Sequence, residues 1–362
     1  MDLKQASLIN HSIISFGLVF LSLWVISCGR NVRLLEPAYV QNEIIHQLGS
    51  NADKKLSVHY TGAGGVILKF DSTILITDPF FSNSHFLPIL IKTAFGGYIS
   101  NQEKFIQYGI NRIPFGIHKT QAILITHAHY DHLMDVPWMF ENGYFEKKHT
   151  KVIGNRTAVR LMEHFDAVDV LNAESYIFSK ETETTWITTI PNVRILPILS
   201  QHAPHKGHIK AFSGEYTGEL GKKGKNKTRL RDWREGRTIS YLIDFIDGDD
   251  LQMRVFIQTS ASDDPIGAPS REILNQKEVD LAILGVASYE NSNNYPMHLI
   301  DALEPKALLF VHWENFFRKY TARKPRTVMG TDVVKFVKII DKKYPHIPFW
   351  LPGPGTTLKL LF

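Results

Sequence analysis

The strand-like run Ala122–Ile125 ends in Thr126-His127-Ala128-His129-Tyr130-Asp131-His132, which sets four metal-ligating side chains within six residues directly after an apolar segment. A fold must take this buried strand to its end and accommodate three imidazoles and a carboxylate there. Polar and charged groups drawn out of water without partners are costly. Either they stay at the surface as a histidine cluster, or a cation completes them. A strand that breaks into a loop turns several side chains toward one point, which favours the second outcome. Asp135 then stands where a helix N-cap belongs and Pro137 lies in the first turn, where a missing N–H is harmless, so a helix is expected over 136–141. Three imidazoles with one carboxylate suit zinc, with iron and manganese as alternatives.

The rest of the chain supplies strands to carry such a loop. Short β-type runs at 56–61, 66–70 and 73–77 are separated by Gly62-Ala63-Gly64-Gly65 and Asp71-Ser72, both turn compositions. Further runs at 122–126, 152–154, 193–199, 240–245, 253–258, 281–286 and 307–311 alternate with helical patterns at 136–141, 157–165, 270–276, 297–303 and 332–342. Strands rich in Ile, Leu and Val with little alternation are buried on both faces. The reading is therefore α+β: two mixed β-sheets packed together with helices on the outer faces. A doubly wound parallel sheet is the competing fold. The initial hairpins and the lack of an early glycine-rich strand-to-helix turn count against it.

The chain has 362 residues, 44% of them hydrophobic and 21% charged, with ample material for a large core. Its single cysteine excludes a disulfide framework, a Cys-rich zinc site and an iron–sulfur cluster. The net charge of +5 is too small to mark a nucleic-acid binder. An equal excess sits in the segment 210–237, with nine Lys/Arg against four Asp/Glu. That segment reads as a solvated loop, or as a basic lip drawing an anionic substrate or lipid headgroups. One Trp and one Tyr give it too few stacking platforms for RNA or DNA, so no nucleic-acid partner is expected.

At the amino terminus, fifteen apolar or small residues, Ile13–Ser27, follow Lys4 and precede Cys28. Fifteen is short of the roughly 20 needed to span a bilayer and matches the apolar core of a secretory signal. Val25-Ile26-Ser27-Cys28 resembles a bacterial lipobox, which implies cleavage before Cys28 and lipidation of its thiol. The alternative is an uncleaved anchor helix, in keeping with Asp2 before the run and Arg30 and Arg33 after it. The expected layout is a lipoprotein signal at 1–27, a tether or amino-terminal edge at 28–55, and one domain at 56–362 with a basic insertion at about 210–237. The expected location is the bacterial cell envelope, membrane-anchored on its periplasmic or surface side.

The run His127-x-His129-x-Asp131-His132 matches the H-x-H-x-D-H signature of the metallo-β-lactamase superfamily, and the resemblance extends from about Leu56 to Phe362. It implies an αββα four-layer sandwich and two metal sites. By the family pattern His127, His129 and a later strand-end histidine hold one ion, while Asp131, His132 and a final strand-end histidine hold the other. His202 and His312 occupy those places, in competition with His205 and His208 and with His298 respectively. Asp78 sits where the family often has an aspartate behind the ligand histidines, although a turn aspartate before Pro79 is equally compatible. The chain departs from the pattern at the bridging aspartate. The expected position falls near Thr259 or Ser260, so either Asp263 reaches the metals or the second ion is weakly held.

The resemblance implies a hydrolase in which a metal-activated hydroxide attacks an ester-type bond, with Asp131 as metal ligand and proton carrier and Tyr130 near the substrate or merely packed. Zinc is expected, two per chain, with one ion, iron or manganese as alternatives. The pairs Gln201-His202 and His312-Trp313-Glu314-Asn315-Phe316 are similar to the branch containing N-acyl-phosphatidylethanolamine phospholipase D and the ascorbate-phosphate lactonases. That points to an anionic, lipid-like or phosphodiester substrate and to a membrane contact through lipidated Cys28. Lactone or carboxylic-ester hydrolysis, a non-catalytic module without the bridging carboxylate, and a mononuclear iron oxygenase are the other readings.

Overall fold

The computed structural model describes residues 43–48, 54–83, 88–89, 91–92, 95–165, 169–177, 185–204, 212–220, 228–321 and 325–362. The expected signal segment 1–27, Cys28 and parts of the basic insertion lie outside the described residues. Fifteen described strands form two sheets. The first contains β1 (Glu43–Gln47), β2 (Lys55–Gly62), β3 (Gly65–Phe70), β4 (Thr73–Thr77), β5 (Ala122–Leu124), β6 (Lys151–Gly154), β7 (Val170–Asn172) and β15 (Thr357–Leu361). Its order is β1-β15-β2-β3-β4-β5-β6-β7. The second contains β8 (Ile187–Ile190), β9 (Val193–Leu199), β10 (Ile239–Asp247), β11 (Asp250–Gln258), β12 (Leu281–Gly285), β13 (Leu308–Val311) and β14 (Phe349–Trp350), ordered β14-β13-β12-β11-β10-β9-β8. Both sheets are mixed: antiparallel at the hairpins and parallel where helices intervene, from β4 to β7 and from β11 to β14.

The period of two along a strand explains the layering. Leu56, Val58 and Tyr60 of β2 face the same inter-sheet core as Ile239, Tyr241, Ile243 and Phe245 of β10 and Val255 and Ile257 of β11. The alternate residues point outward. Ile67, Ile76 and Ile123 pack under α1 (Glu103–Ile110), α2 (Tyr130–Leu133), α3 (Asp135–Glu141) and α4 (Arg156–His164). Leu242, Phe256, Ala282 and Phe310 pack under α5 (Arg271–Leu274), α6 (Met297–Leu303) and α7 (Val333–Lys343). The central strands thus have two apolar faces, and the result is the four-layer α+β sandwich expected from the sequence.

Several helix boundaries follow from capping. The Asn155, Ser270 and Asp332 side chains accept backbone N–H groups at the starts of α4, α5 and α7. Asp135 does not cap α3, whose N-cap is Met134. Its buried carboxylate instead accepts the N–H groups of Phe81 and Ser82, the Ser82 hydroxyl and the Asn101 amide, pinning the segment after β4 to the helix. No helix among the described residues is long and apolar enough to cross a membrane.

Candidate metal centre

Two groups of three ligand side chains stand beside each other at the ends of the central strands. His127, His129 and His202 form one; Asp131, His132 and His312 form the other; within each, the donor atoms lie within 4.8 Å of one another. After β5 the chain leaves the sheet through Ile125 and Thr126, and His129 takes the extended N-cap position of the short helix α2. This break places His127 and His129 before the helical turn and Asp131 and His132 inside it. His202 arrives three residues beyond β9, and His312 directly follows β13 with φ +55°. The His127 and His132 rings are 3.9 Å apart, and both His129 and His202 have their ring centres 4.8 Å from that of His127.

The surroundings fix how the rings face. Asp78, at the end of β4 with φ +41°, accepts the Thr126 N–H (2.8 Å), the Thr126 hydroxyl and the Thr259 hydroxyl (2.9 Å). The same carboxylate lies 2.9 Å from His132 Nδ1, which leaves His132 Nε2 on the side of Asp131, 3.7 Å away. Thr126 Oγ1 is 3.2 Å from His127 Nδ1, so the opposite nitrogen of that ring faces the cluster. Gly64 makes room for the arrangement: a Cβ there would stand 2.7 Å from His132 Cε1 and 2.9 Å from Thr259 Cβ.

Charge and burial bias the group toward a cation. Burial, reinforced by His132, His202, His129 and His312 around it, holds His127 well below the ordinary histidine range and therefore neutral, the form that ligates. For Asp131, burial pushes upward, but the charge of His132 and the hydrogen bond and charge of His312 outweigh it and keep the carboxylate well below its usual range. His132 is raised because Asp78 and Asp131 together overcome the effect of burial. His127 Nε2 and His312 Nδ1 are buried without a hydrogen-bond partner. Such atoms are rare in folded proteins unless a ligand completes them. This donor set fits a divalent transition metal in each cluster, and zinc suits the imidazole-rich one best.

The structure corrects one expected ligand. Asp263 belongs to neither cluster: its carboxylate accepts the Gln201 side-chain amide (3.2 Å) and the Asn293 N–H (2.7 Å). The loop after β11 is folded back by buried Gln258, whose amide donates to Ser260 O and Ser262 Oγ while its oxygen accepts from Ser240. Asp263 follows on this loop with its carboxylate engaged by Gln201 and Asn293 and not by either donor cluster. At the place foreseen for a bridging carboxylate stands Thr259, tied to Asp78 and Thr126. The rival histidine His298 lies in α6 with its ring nitrogens 3.2 Å from Asn294 O and Ile266 O, outside both clusters. His205 and His208 lie outside the described residues. Tyr130 packs edge-on against Phe80 and tilted against Phe316.

Roles beside the donors for Thr126, Thr259, Gly64, Tyr60 and Glu314, none of which belongs to either cluster, were not foreseen. Thr126 beside the histidine run and Glu314 two residues after His312 were the available signals; Tyr60, Gly64 and Thr259 are brought in from distant strands and turns.

No protein-family model matches the chain, and no curated protein matches it. Solved structures do. A metallo hydrolase from the hyperthermophilic archaeon Ignicoccus hospitalis shares 15% identity over 85% of this chain and 99% of its own, with a TM-score of 0.50. The metallo-β-lactamase fold protein YhfI from Bacillus subtilis shares 11% over 85% of this chain and 100% of its own, at 0.45. CmlA, a diiron β-hydroxylase from Streptomyces venezuelae, shares 14% over 86% of this chain and 55% of its own, at 0.47. At these identities the likeness to the archaeal protein shows a common fold, the two mixed sheets between helical layers described above.

Proposed function

We propose that the chain is a metal-dependent hydrolase of ester-type bonds, acting on an anionic phosphodiester or phospholipid-like substrate. The observation that carries the reading is the pair of adjacent three-donor clusters, one of three imidazoles and one with a carboxylate, with His127 Nε2, opposite the nitrogen beside Thr126, buried without a hydrogen-bond partner. Bound there, divalent ions supply Lewis acidity and bring the ionisation of water into the neutral range. His127, His129 and His202 would hold one ion, and Asp131, His132 and His312 the other. Neutral His127 keeps its lone pair available at neutral pH. Asp131, ionised and set between His132 and His312, would serve as a ligand and as the carboxylate that passes a proton to the leaving group. Asp78 and Thr126 keep the rings from turning.

The substrate half of the proposal is supported by the likeness of Gln201-His202 and His312-Trp313-Glu314-Asn315-Phe316 to a phospholipase-containing branch, together with the basic excess of 210–237. Elemental analysis of zinc-loaded protein and a panel of phosphodiester, glycerophospholipid, lactone and carboxylic-ester substrates test it. Two ions per chain and turnover of the first two classes are expected. Lactone or ester turnover alone would replace the substrate and leave the metal centre standing; absence of metal uptake would remove both. The apolar run before Cys28 supports anchoring on the bacterial envelope as a lipoprotein, and Cys28→Ala is expected to release the chain from membranes in a bacterial host.

A further inference from the structure

Glu314 lies two residues beyond His312 and is 3% exposed, yet it is in neither donor cluster. Its Oε1 accepts the Ala63 N–H at 2.6 Å, and its Oε2 accepts the Tyr60 hydroxyl. The Tyr60 oxygen in turn accepts the N–H of His312 at 3.0 Å and lies 3.1 Å from the Ala63 carbonyl. One carboxylate therefore holds two structures at once. The first is the turn Gly62-Ala63-Gly64-Gly65, which presses Gly64 against the His132 ring so closely that a Cβ would stand 2.7 Å from it. The second is the backbone of His312, which has a left-handed φ of +55° that a side-chain-bearing residue adopts only when its surroundings hold it. His132 and His312 are the two imidazoles of the Asp131 cluster.

We propose that Glu314 and Tyr60 form a clamp that positions His132 and His312 for the second metal ion, a role that rests on the two-ion reading above. Neither side chain belongs to a donor cluster, and each acts through the Ala63 turn or the His312 backbone, so both are positioning residues. The clamp explains how the Asp131 cluster is preorganised although no bridging carboxylate from Asp263 reaches it. Glu314→Gln keeps the shape but turns an amide group toward one of the two donors, breaking one tie. Tyr60→Phe frees the His312 N–H and leaves the carboxylate with Ala63 alone.

Zinc titration of metal-free protein, read by elemental analysis after dialysis and by competition with a chelator, tests the clamp. Asp280→Asn serves as control, because Asp280 is another buried carboxylate that accepts a backbone N–H, from Arg254 at 2.8 Å, at the start of β12. Wild type and Asp280→Asn should bind two ions. Glu314→Gln and Tyr60→Phe should retain the His127/His129/His202 ion and bind the second at least tenfold more weakly, whatever their melting temperatures. Second-site affinities within threefold of wild type in either folded variant overturn the clamp alone. A wild-type chain that takes up fewer than two ions overturns the clamp together with the two-ion reading.

Discussion

Two buried polar regions lie at opposite ends of the parallel strands β12 and β13, and they are built in opposite ways. At the starts of these strands, Arg254 donates to Asp244 at 2.7 and 2.8 Å and to the carbonyls of Ile273 and Lys277 at 2.8 Å each. Asp244 also accepts from Arg194, and Asp280 accepts from Arg254 N, Lys277 and Lys306. Every charged atom there has a partner, and the region needs nothing more. At the far ends, the imidazole clusters are also buried and ordered by hydrogen bonds from behind, but His127 Nε2 and His312 Nδ1 are left without a partner. Burial of charge by itself does not distinguish a site from a structural network. What distinguishes them is whether the hydrogen-bond and charge requirements close within the chain.

The sharpest way to break this contrast is Arg254→Ala. It leaves the fully buried Asp244 carboxylate with Arg194 as its remaining charged partner and frees the carbonyls of Ile273 and Lys277, and loss of one member of a buried ionic network costs on the order of 3–5 kcal/mol. Chemical denaturation should show that loss, while zinc stoichiometry of the folded fraction stays unchanged. Equal damage to metal uptake would mean the two regions are one unit.

His59 tests the boundary of the rule, because it is a buried imidazole with an unmet Nε2 that belongs to no donor cluster among the described residues. Burial, followed by the charge of Arg112, lowers its pKa from 6.5 to about 4. The unfolded chain therefore binds the extra proton first. The stability that neutral His59 contributes is fully present above pH 6.5 and is lost as pH falls from there toward 4, about 3 kcal/mol in all at 1.36 kcal/mol per pH unit. Denaturation midpoints of metal-free protein at pH 7 and pH 4.5 should diverge for wild type, and His59→Gln should narrow that gap. A gap of the same size in the variant would remove His59 from the account.

Asp78→Asn sharpens the contrast from the site's own side. Asp78 meets donors from Thr126 and Thr259 and lies against His132, so an amide there faces groups it cannot accept from with both atoms. Metal affinity should fall about 10–100-fold, the usual range for groups that orient metal-binding histidines. Chelator competition would show it. The smallest effect is expected at Asp263, where Asn preserves an acceptor for the Asn293 N–H. Metal affinity should change by less than about twofold, as for a position away from the donors.

Much of the scaffold was legible in the chain because local rules and tertiary needs agreed. The hairpins β2 to β4 follow Gly62–Gly65 and Asp71-Ser72, and α4, α5 and α7 fall within a residue or two of the helical patterns at 157–165, 270–276 and 332–342. The strands β1, β7, β8, β14 and β15 were not foreseen, since they are short or gain their pairing from partners far away in sequence. At the candidate site, the residues of one turn, His127 to His132, could be read together, and His202 and His312 could be placed by the strands that precede them. Asp135 and Asp263 could not. Both carboxylates are claimed by backbone N–H groups of other loops, at Phe81 and Ser82 for the first and at Asn293 for the second. No periodicity reveals such ties.

The position of β15 has a consequence for how the protein folds. Its residues, Thr357–Leu361, lie between β1 and β2, parallel to the first and antiparallel to the second. An interior strand of the first sheet thus comes from a segment 298 residues away from its partner at the His59/Thr357 pair, and closing so long a loop is slow. The first sheet cannot be completed piece by piece along the chain: its β1 and β2 edges are joined only when that distant segment docks between them.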